Sequence, residues 1–224
     1  MKINADFSRR VAVHADETDW VASPMPGVAR KMLDRVGEEV ARATSIVRYD
    51  PESHFSRHVH GGGEEFLVLD GVFQDEHGDY PAGAYLRNPP QSSHTPGAAA
   101  GCVILVKLWQ FDPDDRLGVR TKEQDIAATT VAGRPHVRLQ PLHHDAREDV
   151  RIETWAADAT IDLAPNGGIE VFVLDGSFSE SGETFRRWSW LRLPVGVPLR
   201  VVSGAAGARV WIKEGHLAAM PALP

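Results

Sequence analysis

Apolar and polar residues alternate along this chain in short runs. Runs rich in Val, Leu, Phe and Trp cover residues 66–69, 102–108, 170–174 and 210–213, and Gly, Pro and Asp residues bound them. Short apolar runs between such turn formers are typical of β-strands. Many of them at close spacing predict an all-β protein made of small barrels or sandwiches.

Helical periodicity is weak throughout the chain. The best helix candidate is residues 29–42, but Gly37 interrupts it, so we predict a pair of strands around Gly37 instead. A second candidate is a turn near residues 122–128. Asp-Gly follows an apolar run at residues 70–71 and again at 175–176, which predicts a hairpin turn at each place.

The chain contains an internal repeat. EFLVLDG at residues 65–71 matches EVFVLDG at 170–176, and YLRNP at 85–89 matches WLRLP at 190–194 with the same spacing of 105 residues. Two matching blocks at one spacing indicate two related domains of roughly 100 residues each. We therefore predict a first domain, a polar linker and a second domain, at residues 1–112, 113–133 and 134–224.

Charge excludes some classes of partner. The chain has 24 basic and 31 acidic residues, which gives a net charge of −7. A protein that binds nucleic acid or an anionic membrane surface needs clustered Lys and Arg, so we expect neither partner.

Cysteine content and hydropathy indicate a soluble cytoplasmic protein. Cys102 is the only cysteine, so no intrachain disulfide and no cysteine-rich zinc site can form. No apolar stretch follows the charged N-terminus, so we expect no signal peptide. The apolar run at residues 98–106 is shorter than the roughly 20 residues that a membrane span requires.

The segment HVHGGGE, residues 58–64, carries the candidate chemistry. His58 and His60 are two residues apart, so on a strand they point to the same face, about 7 Å apart. The three glycines allow a close turn that returns Glu64 to the same place. With His94 further on, three nitrogens and one carboxylate suit zinc, iron(II), manganese or nickel and leave a position for water or substrate.

These residues resemble the two motifs of the cupin superfamily. The first motif is His-x-His, three or four residues, Glu, six residues and Gly, and residues 58–71 match it. The second is Pro-x-Gly followed about ten residues later by His, and residues 81–94 match it. The resemblance implies an all-β bicupin of tandem double-stranded β-helix (jelly-roll) barrels. It also implies one divalent metal ion per chain, with zinc or iron favoured, held by His58, His60, Glu64 and His94.

The residues around the motifs narrow the resemblance. Residues 62–71, 75–83 and 85–90 are similar to the ChrR-type cupins, which are named for the sensor domain of an anti-sigma factor. The likeness extends over roughly residues 20–217. It implies a regulatory, sensor or small-ligand-binding protein, with a sigma factor as one conceivable partner. The full anti-sigma factor binds its sigma factor through an additional zinc domain built on His and Cys ligands. Cys102 alone cannot supply that domain, so a sigma factor is not the favoured partner.

A second class of function stays open on the same resemblance. Related cupins include iron(II)-dependent dioxygenases that cleave small diketones or hydroxyaryl ketones, so the alternative is an enzyme of this kind with a small-molecule substrate. The open strand edges of cupin barrels often pair between chains, which implies a homodimer.

The second repeat is predicted to bind no metal at the corresponding positions. At the spacing of 105 residues, the positions of the four ligands are taken, in order, by Leu163, Pro165, Ile169 and Leu199. Apolar side chains cannot coordinate a cation, and they can fill the barrel interior. Glu65 and Arg87 recur as Glu170 and Arg192, so we expect architectural roles for these pairs.

Several other residues have a structural interpretation. His143, His144 and Asp145 could form a second metal site, but a surface pair in the region between the domains is the favoured interpretation. His77 lies in an acidic turn and is expected to be solvated. Cys102 begins an apolar run and is expected to be a buried, inert thiol.

Overall fold

The computed structural model describes residues 1–38 and 40–220 and confirms an all-β fold. The described residues contain 22 strands and two short 3-10 turns, at Ala15–Glu17 and Glu123–Asp125. The strands up to residue 125 are β1 (Lys2–Ile3), β2 (Val11–Val13), β3 (Val21–Ala22), β4 (Val28–Gly37), β5 (Ala41–Tyr49), β6 (Ser53–His54), β7 (His58–Val59), β8 (Glu64–Asp75), β9 (Gly78–Pro81), β10 (Ala84–Asn88), β11 (Ser93–His94), β12 (Gly97–Ala98), β13 (Cys102–Leu108) and β14 (Val119–Lys122). The later strands are β15 (Thr129–Val131), β16 (Arg134–His144), β17 (Asp149–Trp155), β18 (Thr160–Leu163), β19 (Ile169–Glu180), β20 (Glu183–Arg186), β21 (Trp190–Leu193) and β22 (Leu199–Glu214).

Contacts divide the chain into two compact units. Among the described residues, unit 1 consists of Met1–Ala5 and Trp20–Asp125, and unit 2 of Asp6–Asp19 and Ile126–Met220. These divisions differ from the domain boundaries predicted above in two segments. Residues 6–19 join the second unit, and most of the predicted linker belongs to the first.

The two units share one sheet topology. The main path in unit 1 is β1-β4-β5-β13-β8-β10-β14, and in unit 2 it is β15-β16-β17-β22-β19-β21-β2. Strands pair antiparallel along both paths. Each unit buries its own apolar core, because alternate residues of these strands face inward. Core residues include Phe66, Val68, Leu86, Ile104 and Val106 in unit 1 and Val171, Val173, Leu191, Val210 and Ile212 in unit 2.

The last strand of each path comes from a different place in the sequence. In unit 1, β14 lies beside β10 with Val119 opposite Arg87. In unit 2, β2 lies beside β21 with Val11 opposite Arg192. Each of these two strands runs into a 3-10 turn. Residues 11–17 and 119–125 are therefore equivalent segments. Residues 119–125 follow the other strands of unit 1 and complete that unit, whereas residues 11–17 complete unit 2 from far away in the sequence.

Local predictions had mixed outcomes. The strand pair predicted within residues 29–42 is confirmed, because β4 and β5 pair with Gly37 opposite Ala41. The hairpin turns predicted at residues 70–71 and 175–176 are wrong. Gly71 and Gly176 lie inside the long strands β8 and β19 with φ of 70° and 69°.

Close backbone contact explains both glycines. A Cβ on Gly71 would lie 2.2 Å from the carbonyl oxygen of Gly101, and a Cβ on Gly176 would lie 2.2 Å from that of Gly207. The pairing of β8 with β13, and of β19 with β22, also shifts register close to these glycines. Glycine thus permits a bulge within a continuous strand instead of ending it.

Within the described ranges, no helix is long and apolar enough to span a membrane.

Candidate metal centre

A short two-stranded ribbon brings the three predicted histidine ligands together. In this ribbon β7 pairs with β11, and His94 lies directly opposite His58. The backbone N–H of His60 donates to the carbonyl of Ser92 at 2.9 Å, which fixes His60 beside the same ribbon. The imidazole centroids are 5.0 Å apart for His58–His60, 5.0 Å for His58–His94 and 4.7 Å for His60–His94.

Glu64 begins β8 and points at the same centre. One carboxylate oxygen, Oε2, lies 3.6 Å from Nε2 of His60 and 3.5 Å from Nε2 of His94. With His58 included, the four ligand atoms lie within 4.8 Å of one another. A single ion at roughly 2.0–2.1 Å from each atom fits such a set with small side-chain adjustments. The structure thus brings together all four residues that the sequence predicted as ligands.

The three glycines place Glu64 because aromatic rings pack directly on them. A Cβ on Gly62 would lie 2.3 Å from the indole ring of Trp109. A Cβ on Gly63, whose φ is 79°, would lie 2.4 Å from the ring of Phe111. Glycine is therefore required for close approach at Gly62 and also for backbone conformation at Gly63.

Burial sets the protonation of the cluster. Desolvation, followed by the charges of its histidine neighbours, lowers the pKa of His60 to about 3. Desolvation is also the main cause that lowers the pKa of His94 to about 4. Both imidazoles are therefore neutral at neutral pH, the form in which histidine binds a metal. Desolvation raises the pKa of Glu64 to about 7, against the opposing hydrogen bond from Asn88.

The donor set fits a metal ion for a second reason. Nε2 of His60 and Nε2 of His94 are buried and have no hydrogen-bond partner among the described residues. A buried polar atom without a partner costs stability, and a divalent cation bound to these lone pairs would remove that cost. His58, in contrast, is exposed, so one side of the cluster is open to solvent.

Two supporting residues escaped the sequence analysis. Oδ2 of Asp75 lies 3.4 Å from Nδ1 of His94, and the Asp75 side chain is fully buried. The side-chain amide of Asn88 donates to Oε2 of Glu64 at 3.1 Å. The sequence placed Asp75 in a solvated acidic turn together with His77, which is indeed exposed. The available signal was strand periodicity, because Asp75 and the buried Phe73 are two residues apart at the end of β8.

Unit 2 repeats the backbone register of the ribbon with apolar residues. In unit 2, β18 pairs with β22 and places Leu163 opposite Leu199, where unit 1 has His58 opposite His94. Ile169, at the position of Glu64, is completely buried. The spacing of 105 residues therefore predicted the pairing correctly, and the absence of metal at these positions stays a prediction.

A buried carboxylate is shared by both units. In unit 1 the hydroxyl of Tyr85 donates to Glu65 at 2.6 Å, and in unit 2 the indole N–H of Trp190 donates to Glu170 at 3.1 Å. Glu65 lies opposite Arg87, as Glu170 lies opposite Arg192. These contacts support the architectural roles that the repeat predicted for both pairs.

The structure also tests the predicted burial of Cys102, His143 and His144. Cys102 is buried, as predicted, and desolvation raises the pKa of its thiol to about 12. The prediction of a surface pair at His143 and His144 is wrong for His143. Its side chain is 3% exposed, while that of His144 is 75% exposed.

Two antiparallel barrels with one strand order, the first carrying a cluster of three histidines and a glutamate, define a two-repeat cupin, or bicupin. Within this class, residues 8–112 match the family model of ChrR cupin-like domains. A comparison with curated protein sequences gives no match.

Solved structures of low sequence identity share the fold. A candidate dioxygenase from Nostoc punctiforme is 12% identical, with a TM-score of 0.75 over 97% of this chain and 86% of that one. A bacterial pirin from Escherichia coli in complex with nickel(II) is 11% identical, with a TM-score of 0.66 over 92% and 98%. Oxalate decarboxylase from Bacillus subtilis, studied for its Mn(II) centres, is 10% identical, with a TM-score of 0.64 over 91% and 76%.

Proposed function

We propose that this chain is a metal-binding cupin in which His58, His60, Glu64 and His94 hold one divalent transition-metal ion that receives a small ligand. The observation that carries this proposal is the convergence of four ligand atoms within 4.8 Å of one another. Zinc and iron(II) suit three imidazoles and one carboxylate best, and manganese or nickel also fits this donor set.

The ligand reaches the ion from the side of His58. That histidine is exposed, whereas His60, Glu64 and His94 are buried. A bound ion supplies a Lewis-acidic position to which an oxygen or nitrogen of the ligand binds. The protein's own contribution is to keep two imidazoles neutral by burial and to fix His94 through Asp75.

In the first version of this function the chain is a sensor or ligand-binding protein without turnover. The match of residues 8–112 to the family model of ChrR cupin-like domains supports this version. Such a sensor needs a protein partner, and a sigma factor is one candidate. Its assembly as a homodimer through strand edges also stays a prediction, which sedimentation velocity of the purified protein can test.

Elemental analysis of protein purified without chelators tests the metal site. We expect about one metal ion bound to the cupin cluster, and His60→Ala should remove it while the fold is retained. His77→Ala is the matched control, because His77 is exposed and lies outside the cluster. Full occupancy of the cupin cluster in the His60→Ala protein would overturn the proposal.

The second candidate function is an iron(II)-dependent dioxygenase acting on a small diketone or hydroxyaryl ketone. The exposed side at His58 favours it, since an oxygenase must admit both dioxygen and substrate. The shared fold of the candidate dioxygenase from Nostoc punctiforme is a further reason to test it.

Oxygen uptake separates the two versions. The protein would be loaded with iron(II) under anaerobic conditions and mixed with oxygen and a small diketone or hydroxyaryl ketone. Consumption of oxygen together with the ketone would identify an oxygenase. A tightly bound metal ion without oxygen uptake would support the sensor, and the search would move from substrates to protein partners.

A further inference from the structure

The turn between β16 and β17 gathers three potential metal ligands in unit 2. Ligand atoms of His143, Asp145 and Glu148 lie within 4.8 Å of one another. These residues occupy none of the four positions that correspond to the cupin ligands of unit 1. The side chains of His143 and Glu148 are each 3% exposed, so the group is not a solvated surface cluster.

A bulge turns His143 inward. The pairing of β16 with β17 shifts register between Pro141 and His143, after which His143 lies opposite Val150. Such a bulge redirects the side chains that follow it. As a result His143 points to the interior of the turn, while the next residue, His144, points to solvent.

Backbone hydrogen bonds hold Asp145 in place. Its Oδ1 accepts the backbone N–H groups of Arg147 at 2.7 Å and Glu148 at 2.9 Å. Its other oxygen, Oδ2, lies 3.1 Å from Nε2 of His143. Neighbouring ligands of a tetrahedral zinc ion are separated by about 3.4 Å, given metal–ligand bonds of roughly 2.0–2.1 Å. The 3.1 Å contact is itself a hydrogen bond, and an ion bound here would replace it with only a small separation of the two side chains.

Glu148 completes the group and also limits its affinity. Its Oε2 lies 2.9 Å from Nζ of Lys213, so a cation already lies beside this carboxylate. An ion bound to Glu148 would have to share this carboxylate with Lys213 or displace it. We expect this arrangement to bind a metal more weakly than the four cupin ligands do.

An open cleft of about 240 Å³ lies beside two of the three residues, Asp145 and Glu148, while His143 lies outside its lining. Its lining includes Asp145 and Glu148 together with two further carboxylates, Asp149 and Glu214. Both of these carboxylates already accept hydrogen bonds from Arg151, so water from the cleft would complete the coordination of an ion that has three protein ligands.

We propose that unit 2 binds a divalent transition-metal ion, zinc or manganese by the chemistry of one imidazole and two carboxylates, between His143, Asp145 and Glu148. The ion joins the end of β16 to the turn that leads into β17. Its role is structural, because it cross-links a turn and lies apart from the apolar positions that correspond to the cupin site.

Zinc titration by calorimetry on the full chain tests this site, with the His60→Ala variant used to remove the cupin site. We expect the His60→Ala protein to retain one zinc ion per chain and to melt at a higher temperature with zinc. The His60→Ala/His143→Ala protein should lose that zinc ion. The His60→Ala/His144→Ala protein is the matched control and should keep it, since His144 is the exposed neighbour.

A second variant guards against misfolding of the turn. Asp145→Asn in the His60→Ala background keeps an Oδ1 that can accept the backbone N–H groups of Arg147 and Glu148, and it should weaken zinc binding at least tenfold. Two results would overturn the proposal: no zinc bound to the His60→Ala protein, or equal losses from His143→Ala and His144→Ala. Failure of the cupin site is distinguishable, because the zinc content of the chain would then be unchanged by His60→Ala.

Discussion

The surroundings of each side chain at the cupin site determine its protonation state and its orientation. The pKa values of His60 and His94 are lowered by burial, and Asn88 and Asp75 contact Glu64 and His94 respectively. A carboxylate beside the non-ligating nitrogen of a histidine fixes the orientation of the ring and increases its basicity as a ligand. The supporting residues therefore adjust the metal affinity that the four ligands provide.

Asp75→Asn should weaken metal binding by roughly 10- to 100-fold while full occupancy is still reached at high metal concentration. The reason is that the buried carboxylate next to Nδ1 of His94 is replaced by a neutral amide. Competition with a chelator of known affinity measures the change. Asp79→Asn is the control, because Asp79 is exposed and contacts Gln74 instead of a ligand. Equal affinities for both variants would contradict the role of Asp75.

Gly62→Ala should destabilise unit 1 by about 1–3 kcal/mol, the usual cost of an added methyl group in a filled space. Its Cβ would lie 2.3 Å from the Trp109 ring, so the segment that leads to Glu64 must shift. Gly118→Ala is the control, since its Cβ would meet nothing closer than 3.7 Å. Chemical denaturation of the metal-free proteins measures both, and similar losses would argue against close packing at Gly62.

At the scale of elements, buried polar contacts join some of the paired strands. Glu153 on β17 shows this most clearly. Arg134 donates to its two oxygens at 2.9 and 2.5 Å, Arg151 donates at 2.8 Å and the indole of Trp155 at 2.7 Å. The Glu153 carboxylate is completely buried. It thereby ties β16 to β17 through charged hydrogen bonds, which are stronger than neutral ones.

Glu153→Gln should destabilise unit 2 by about 1–3 kcal/mol at neutral pH, the cost of weakening charged hydrogen bonds to a buried carboxylate, because Arg151 keeps its contacts with Asp149 and Glu214. Asp162→Asn should have almost no effect, because its pair with Arg200 is exposed on both sides. Urea denaturation of each variant measures the free energy of unfolding. A loss below that of the control would show that the ion cluster is not stabilising.

Glu153 also leads to a prediction about how stability depends on pH. Burial alone would raise the pKa of Glu153, but hydrogen bonds from Arg134 and the charge of Arg151 outweigh it, so the pKa lies below its ordinary value of 4.5. The ionised form thus stabilises the folded state above that value, and the contribution is lost as the pH falls through the lower folded-state pKa. Stability of the Glu153→Gln protein should decline less in this acidic range than that of the native protein.

At the scale of the whole molecule, the order of segments in the sequence differs from their membership of units. Residues 6–19 lie between the two segments of unit 1 in the chain but belong to unit 2, and residues up to 125 complete unit 1. The equivalent strands β2 and β14 each supply the last strand of a seven-strand path. The residues matched by the family, 8–112, thus include a strand that completes the other unit.

Ala12→Asp should destabilise unit 2, by about 2 kcal/mol or more, although residue 12 lies next to unit 1 in the sequence. Ala12 packs against the apolar core of unit 2, and an unpaired carboxylate there is costly. Hydrogen exchange should rise in β19 and β21 and stay unchanged in β8 of unit 1. Ala22→Asp, on the exposed strand β3, should leave both units unaffected. Faster exchange in β8 would contradict this assignment of the segment.

The sequence by itself determined the all-β class, the repeat and the four clustered residues at the candidate metal centre. These features depend on local properties: strand-length apolar runs, a constant spacing of 105 residues, and two histidines two positions apart on one strand. The four candidate ligands also follow from a spacing of residue types that matches the cupin motifs. Residues that are close in the sequence, or repeated at a fixed interval, carry such information directly.

Only the tertiary structure decided the rest. Gly71 must be glycine because the carbonyl of Gly101 lies too close for a side chain, and Asp75 is buried beside His94. Residues 11–13 form a strand that pairs with β21. Each of these partners is distant in the sequence. Local propensity suggested a hairpin and a solvated turn at the first two places, and position in the chain assigned the third to the first domain. Long-range backbone approach, burial and strand pairing determined their structure instead, because these depend on which distant segments fold together.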